Sequence, residues 1–220
     1  MISVALLALA VAPARGDDAI RPTDEGTPAT HHVEPPPAPE EHEPTPAVSM
    51  NVAAVAPIER STICPVGHDC VIGVGVGVGV QVEWRSADRV GLVAGYDFWL
   101  LDGNGVYELG ALHASRVGLR YVVDDATRVH PFIDAAVGLL AFGDAANVAT
   151  LGGLVTAGAG AEIELTESVA FVAALESWFF ATGSFVTPDG AWRSSGFGVN
   201  AALQITVGIA IQVGPMVAAP

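Results

Sequence analysis

Three groups of residues in this sequence could do chemistry. His113-Ala114-Ser115 sets a base and a nucleophile two residues apart. A histidine that activates a serine begins a hydrolytic site, which also needs a third, orienting acid. Cys64 and Cys70 bracket Pro65-Val66-Gly67-His68-Asp69. Such a pair in an exported chain forms a disulfide, here closing a short loop. The alternative, a metal site of the cysteines with His68 and Asp69, has too few spaced ligands for structural zinc. The third group is larger: Glu83, Asp97, Arg116, Arg120, Asp134, Glu162, Glu164 and Glu176. Arg116, Arg120, Asp134 and Glu162 are the members expected to meet. No phosphate-binding loop accompanies these groups. Gly73–Gly79 is a Gly-X repeat with strand periodicity, and Asp102-Gly103-Asn104-Gly105 is ordinary turn chemistry. Neither a cofactor nor a metal is expected.

What positions these residues is a set of alternating runs. From Ile72 to Trp84 every even residue is Ile, Val or Trp, and the odd ones are Gly, Gln or Glu. Strict period-2 alternation predicts a strand with one apolar face and one small or polar face. Gly196–Val213 repeats the design. That stretch lies in a charge-free segment, 194–220, long enough for a transmembrane helix. Its β-branched content and unbroken alternation favour a strand. Val90–Leu101, Leu109–Val123, Val129–Phe142, Leu154–Leu165 and Val169–Ala181 complete seven strands. Short connections (85–89, 124–128, 166–168) alternate with long ones (102–108, 143–153, 182–195). The alternation demands a preceding strand, and Met50–Ile58 supplies it, leading into a long first loop at 59–70.

Composition says which solvent surrounds these strands. The 220 residues are 51% apolar but only 15% charged, with no lysine and a net charge of −15. The acidic balance excludes a nucleic-acid partner, which needs a cationic surface. A water-facing barrel would carry abundant charge outside. Here the aliphatic face suits hydrocarbon, and the small polar face suits the crowded lumen of an eight-stranded barrel. Outward Trp84, Tyr121 and Phe171 near the short turns, and Tyr96, Phe98, Phe179 and Phe197 near the long loops, form two aromatic girdles. The fold expected is all-β: an eight-stranded antiparallel up-and-down transmembrane barrel behind a disordered N-terminal linker.

Residues 1–14 read as a signal peptide, with an apolar run from Val4 and an Ala12-Pro13-Ala14 cleavage site. Residues 15–48 carry eight acids and eight prolines and read as a disordered acidic linker. His31, His32 and His42 within it are solvated polar filler. Residues 49–213 form the barrel and 214–220 a short tail.

The lumen must neutralise its charges, because buried ions are tolerated only in pairs. A hairpin centred on Ala126 sets Asp134 opposite Gly118, between Arg116 and Arg120. The next strand brings Glu162 beside them. Such a network plugs the barrel. Glu83, Asp97, Glu164 and Glu176 receive no partner from this reasoning.

The strand Arg128-Val129-His130-Pro131-Phe132-Ile133-Asp134-Ala135-Ala136-Val137-Gly138 and the closing run through Thr206-Val207-Gly208 to Ile211 and Val213 resemble the small outer-membrane β-barrel family, whose members are similar to the OmpA transmembrane domain. The resemblance covers roughly residues 50–213. It implies outer-membrane lipids as surroundings, the barrel-assembly machinery as a partner of the C-terminal strand, a monomer, and periplasmic termini. No peptidoglycan-binding domain follows the barrel. The function implied is non-enzymatic, structural or surface-interacting, with a plugged or narrow lumen. A narrow pore for small solutes is one alternative. The other rests on His113 and Ser115, whose spacing resembles the His-x-Ser element of outer-membrane lipid A deacylases. No outward carboxylate on the neighbouring strand supports that pair.

Overall fold

The computed structural model describes residues 45–213, except 60–62, 66, 86–88, 108, 124–127, 145 and 195–198. The segments read as a signal peptide and C-terminal tail, most of the segment read as an acidic linker with its three histidines, and Phe197 lie outside the described residues.

Period-2 alternation becomes strand throughout. In chain order the elements are β1 (Thr45–Glu59), β2 (Gly75–Arg85), β3 (Val90–Leu101), β4 (Gly110–Val122), β5 (Val129–Asp144), β6 (Val148–Thr166), β7 (Val169–Thr182), β8 (Phe185–Val186), β9 (Trp192–Arg193) and β10 (Asn200–Gln212). Eight of them close into one antiparallel barrel, in the order β1-β10-β7-β6-β5-β4-β3-β2. Closure is made by β1 on β10, from Ala47 opposite Gln212 to Glu59 opposite Ala201. A closed barrel leaves no unpaired edge. The segment weighed as a transmembrane helix is this closing strand. Among the described residues no helix is long and apolar enough to cross a membrane.

Four boundaries differ from the sequence reading. β1 takes in Thr45–Ser49, most of which composition assigns to the linker, because these residues pair with the end of β2. β6 begins at Val148, so the connection placed at 143–153 shrinks to 145–147. The cause is local. The Asp144 carboxylate accepts from the N–H groups of Ala146 and Asn147, at 2.7 Å each, and so holds a tight turn. Gly152 and Gly153, which read as loop, are therefore strand. Val71–Val74 precede β2, and Val71 and Ile72 bury themselves among the loop-end core residues. The fourth connection at that end holds a small hairpin, β8 with β9.

The hairpin register also shifts. Asp134 stands opposite Arg120, and Ala136 opposite Gly118. A shift of two residues preserves every side chain's face.

Alternation sorts the side chains by wall. The outward face is aliphatic, with Val76, Val78, Leu119, Val137, Val155 and Ile205 each more than half exposed. Among the described side chains of the eight barrel strands, every Asp, Glu and Arg takes the inward parity. Trp84, Tyr121 and Phe171 lie within two residues of the strand ends at the short turns. Phe98 and Phe179 lie three residues from the opposite ends.

The lumen is filled differently from the small-residue face that alternation predicts. Towards the long loops it holds an apolar core that includes Trp99, Leu112, Leu140, Phe142, Trp178 and Phe180. Trp99 and Trp178 meet edge to face at 5.7 Å. Glycine provides the room. A Cβ on Gly77 would stand 2.9 Å from the Trp99 ring.

Candidate functional site: the charged lumen and its cap

Below the apolar core the lumen carries two connected sets of charges. Arg116 on β4 is buried and forks between two strands. Its Nε donates to Asp97 Oδ2 on β3 at 3.0 Å, and its Nη1 to Glu176 Oε2 on β7 at 2.7 Å. Arg120, two inward positions further along β4, serves three acids. Its Nη1 donates to Glu83 Oε2 and Glu162 Oε1, both at 3.0 Å, and its Nη2 to Asp134 Oδ2 at 3.2 Å. Arg85 joins the same set from β2, reaching Glu83 at 2.8 Å and Glu162 at 2.9 Å. At the turn end His130 Nε2 lies 3.0 Å from Glu164, whose side chain is half exposed.

The structure thus brings Arg120, Asp134 and Glu162 together, with Glu83 and Arg85 added. It assigns Arg116 to Asp97 and Glu176, two acids for which the sequence supplies no partner. Guanidinium suits this task because its planar fork of five donors can meet several carboxylates at once. Aromatic rings close the layer on both sides. Arg116 lies over Trp178 at 5.6 Å, and Arg120 over Phe132 at 3.9 Å. Trp178 Nε1 also donates to Glu176 Oε2 at 3.2 Å.

Glycines make room for these side chains. A Cβ on Gly158 would stand 2.8 Å from Asp134 Oδ1 and 2.7 Å from Glu176 Cγ. One on Gly91 would stand 2.7 Å from Glu83 Oε1. Such approaches are closer than packed atoms tolerate. Above the charges, a cavity of about 30 Å³ remains beside Trp99, Trp178 and Phe180, room for a single water.

The loop end is capped. Cys64 and Cys70 are joined by a disulfide, which occupies both sulfurs and removes the metal alternative. Among the described residues no cluster of three or more His, Cys, Asp or Glu could hold a metal ion. Arg193 on β9 is fully buried and ties this loop to the β8–β9 hairpin. Its Nη1 donates to the Ile63 carbonyl at 3.0 Å, its Nε to Thr187 Oγ1 at 2.7 Å, and its Nη2 to Asp189 Oδ2 at 2.9 Å. Hydrogen bonds from Thr187, then Ala191, and the nearby Arg193 charge hold the Asp189 carboxyl below its ordinary value. His68 Nδ1 lies 3.7 Å from the same carboxylate. The β3–β4 loop joins through Asn104 Nδ2, which donates to the Cys70 carbonyl at 2.6 Å. Sequence reasoning finds the disulfide but passes over the Arg193 latch. Its only sign is Thr187-Pro188-Asp189-Gly190, a turn signature between Val186 and Trp192.

His113 and Ser115 point outward. The His113 Nδ1 and the Tyr96 hydroxyl are 2.6 Å apart, and the ring packs on Phe98 at 4.9 Å. Across the strands His113 faces Phe98 and Ala141, and Ser115 faces Tyr96 and Leu139. No carboxylate among these neighbours orients the imidazole, so the hydrolytic arrangement lacks its third member.

No family model matches the sequence, and no curated relative matches it. Solved structures do resemble the fold. The Neisserial surface protein A structure aligns at 12% identity with a TM-score of 0.56, over 76% of this chain and 96% of that one. The outer membrane protein OprG from Pseudomonas aeruginosa aligns at 14% identity with a TM-score of 0.51, over 78% and 97%. At such identities the likeness concerns architecture: the chain has the barrel fold that these two proteins share.

Proposed function

We propose that the protein is an integral outer-membrane β-barrel, non-enzymatic, with a plugged lumen and a structural or surface-interacting role. One observation carries this reading: the barrel is inverted relative to a soluble one. Its charges face a packed interior, and its outer wall is a nearly continuous aliphatic surface. In water that wall would be an apolar patch far beyond what a soluble monomer exposes. In hydrocarbon it is the ordinary surface of a spanning barrel. The likeness to two proteins described as a surface protein and an outer membrane protein supports the same location.

Partners follow from this reading. Outer-membrane lipids surround the wall, the barrel-assembly machinery engages the C-terminal strand, and the barrel works as a monomer. Both barrel termini emerge at the short-turn end, which faces the periplasm, and the capped loop end faces outward. On this reading the charged layer and the apolar core plug the lumen, and no conductance is expected. Rigid external loops, anchored by Arg193 and the disulfide, suit surface contact.

Two measurements test the finer claims. Purified barrel in a planar bilayer should give no steady conductance steps, and ohmic steps from the unaltered protein would overturn the plugged lumen. Incubation with lipopolysaccharide should release no fatty acid. Release that disappears in Ser115→Ala would overturn the non-enzymatic reading.

A further inference from the structure

The charges in the lumen do not balance. Asp97 and Glu176 share one guanidinium, that of Arg116. All three residues are buried, at 2%, 2% and 8% exposure. Among the described residues no second cation pairs with either acid. One negative charge is therefore in surplus where little water reaches, and a buried charge is tolerated only when it is compensated. The set around Arg120 also holds one acid more than its guanidiniums, but the Arg85 side chain there is 29% exposed and meets water.

Uncharged oxygens stand beside this surplus. Asp97 on β3 lies opposite Gly79 on β2, which in turn lies opposite Asn51 on β1. Gly79 has no side chain, so the two flanking heads turn into the same space. Asp97 Oδ1 comes within 2.5 Å, and Asn51 Oδ1 within 2.6 Å, of the point where a Gly79 Cβ would stand. Asn51 Oδ1 is buried and accepts no hydrogen bond. Arg116 engages the other oxygen of Asp97, Oδ2.

Gln204 adds a third oxygen from β10. It is fully buried, stands opposite Glu176, and its Oε1 has no donor either. Its Nε2 donates to Thr206 Oγ1 at 3.0 Å, so the amide leans along β10 towards Gly208, the residue opposite Asn51.

Oxygens turned together around an excess negative charge call for a cation. A water molecule would satisfy the lone pairs but not the charge. A divalent ion wants more carboxylates or several retained waters, and it would overcompensate a surplus of one.

We propose that the lumen binds one monovalent metal cation, sodium or potassium, between Asp97 Oδ1 and Asn51 Oδ1, with the Gln204 amide oxygen facing it from β10. The ion brings the Arg116 set to neutrality. The site rests on the closed barrel and its buried charges, and not on the outer-membrane reading.

The test is urea unfolding of the full chain in detergent micelles at about pH 8, where ordinary carboxylates are ionised. Choline chloride, whose cation is too bulky to enter, is exchanged for sodium or potassium chloride at constant total chloride. An ion held by the folded state lowers the unfolding equilibrium constant roughly tenfold when present at about ten times its dissociation constant. Sodium, potassium or both should do so as choline is replaced. Asp97→Asn, which leaves Arg116 and Glu176 one to one, should lose the dependence. Asn51→Ala removes a neutral oxygen and should need several-fold more ion for the same shift. Heat-modifiable migration reports whether each variant folds, and if Asp97→Asn forms no barrel, Asn51→Ala carries the test. Equal unfolding of the unaltered protein in choline, sodium and potassium would overturn the proposal, leaving a water or a proton on Asp97 in that place. A dependence unchanged in either folded variant would also overturn it, because the ion would then bind elsewhere.

Discussion

Glu83 and Glu162 stand on β2 and β6, strands on opposite sides of the barrel, and meet at a single nitrogen of Arg120. Two carboxylates so placed repel unless cations lie between them. Arg120 and Arg85 are those cations, and together they span the lumen.

Arg120→Ala leaves three inward acids short of their shared partner. Removing one member of a buried ion pair costs about 3–5 kcal/mol. Urea unfolding in micelles should show a loss of that size. Arg120→Lys should recover only part of it, because one ammonium cannot reach three carboxylates in a fixed fork. An unchanged midpoint for the alanine variant would mean that the charges are solvated, not buried.

Two glycines on β6 offer a matched comparison. Gly158→Ala drives a methyl group into Asp134 and Glu176 and should cost about 1–3 kcal/mol. Gly153 faces outward, and the nearest atom to its added Cβ is the Gly138 carbonyl at 3.9 Å. Gly153→Ala should change stability by less than about 0.5 kcal/mol. Equal effects from the two would contradict the assignment of faces.

Trp178 and Phe179 are adjacent but occupy opposite walls. Trp178→Ala removes the edge-to-face contact with Trp99, the bond to Glu176 and a large core volume, and should cost about 3–5 kcal/mol. Phe179→Ala, on the exposed wall, should cost distinctly less. Thermal unfolding of the two variants side by side checks the order.

The cap should loosen in acid. Asp189 is held below its ordinary value of 3.8, so its stabilising contribution is fully present above that value. It is lost as pH falls through the depressed value. The Ala191 N–H, which donates to Asp189 Oδ1 at 3.2 Å, reports this locally. Its hydrogen-exchange protection should fall below about pH 4 while that of the strands persists. Protection of Ala191 that is flat across this range would show that the carboxylate does not hold the turn.

Much of the fold is legible in alternation alone. The Val-Gly repeat of β2 fixes which residues face out, and the need for even pairing recovers β1. Parity also places Arg116, Arg120, Asp134 and Glu162 on the lumen side. It fails where long-range geometry decides. Which acid meets Arg116 depends on barrel shear and on side-chain reach across the lumen, neither of which is written in one strand. Parity already places Trp99, Trp178 and Phe142 inside, yet the eye reads the glycines first and expects a lumen of small residues. The β5–β6 turn is hidden for another reason. Gly152-Gly153 looks like loop, while the feature that makes the turn is one carboxylate, that of Asp144. The Arg193 latch joins residues 130 apart, a span beyond local pattern.

The central claim is that the aliphatic wall faces lipid in the outer membrane. Fractionation of cells expressing the full chain, with an alkaline carbonate wash before gel analysis, tests it directly. The protein should remain in the outer-membrane pellet after the wash and migrate differently before and after boiling. Recovery of the folded protein in the soluble fraction would contradict the account.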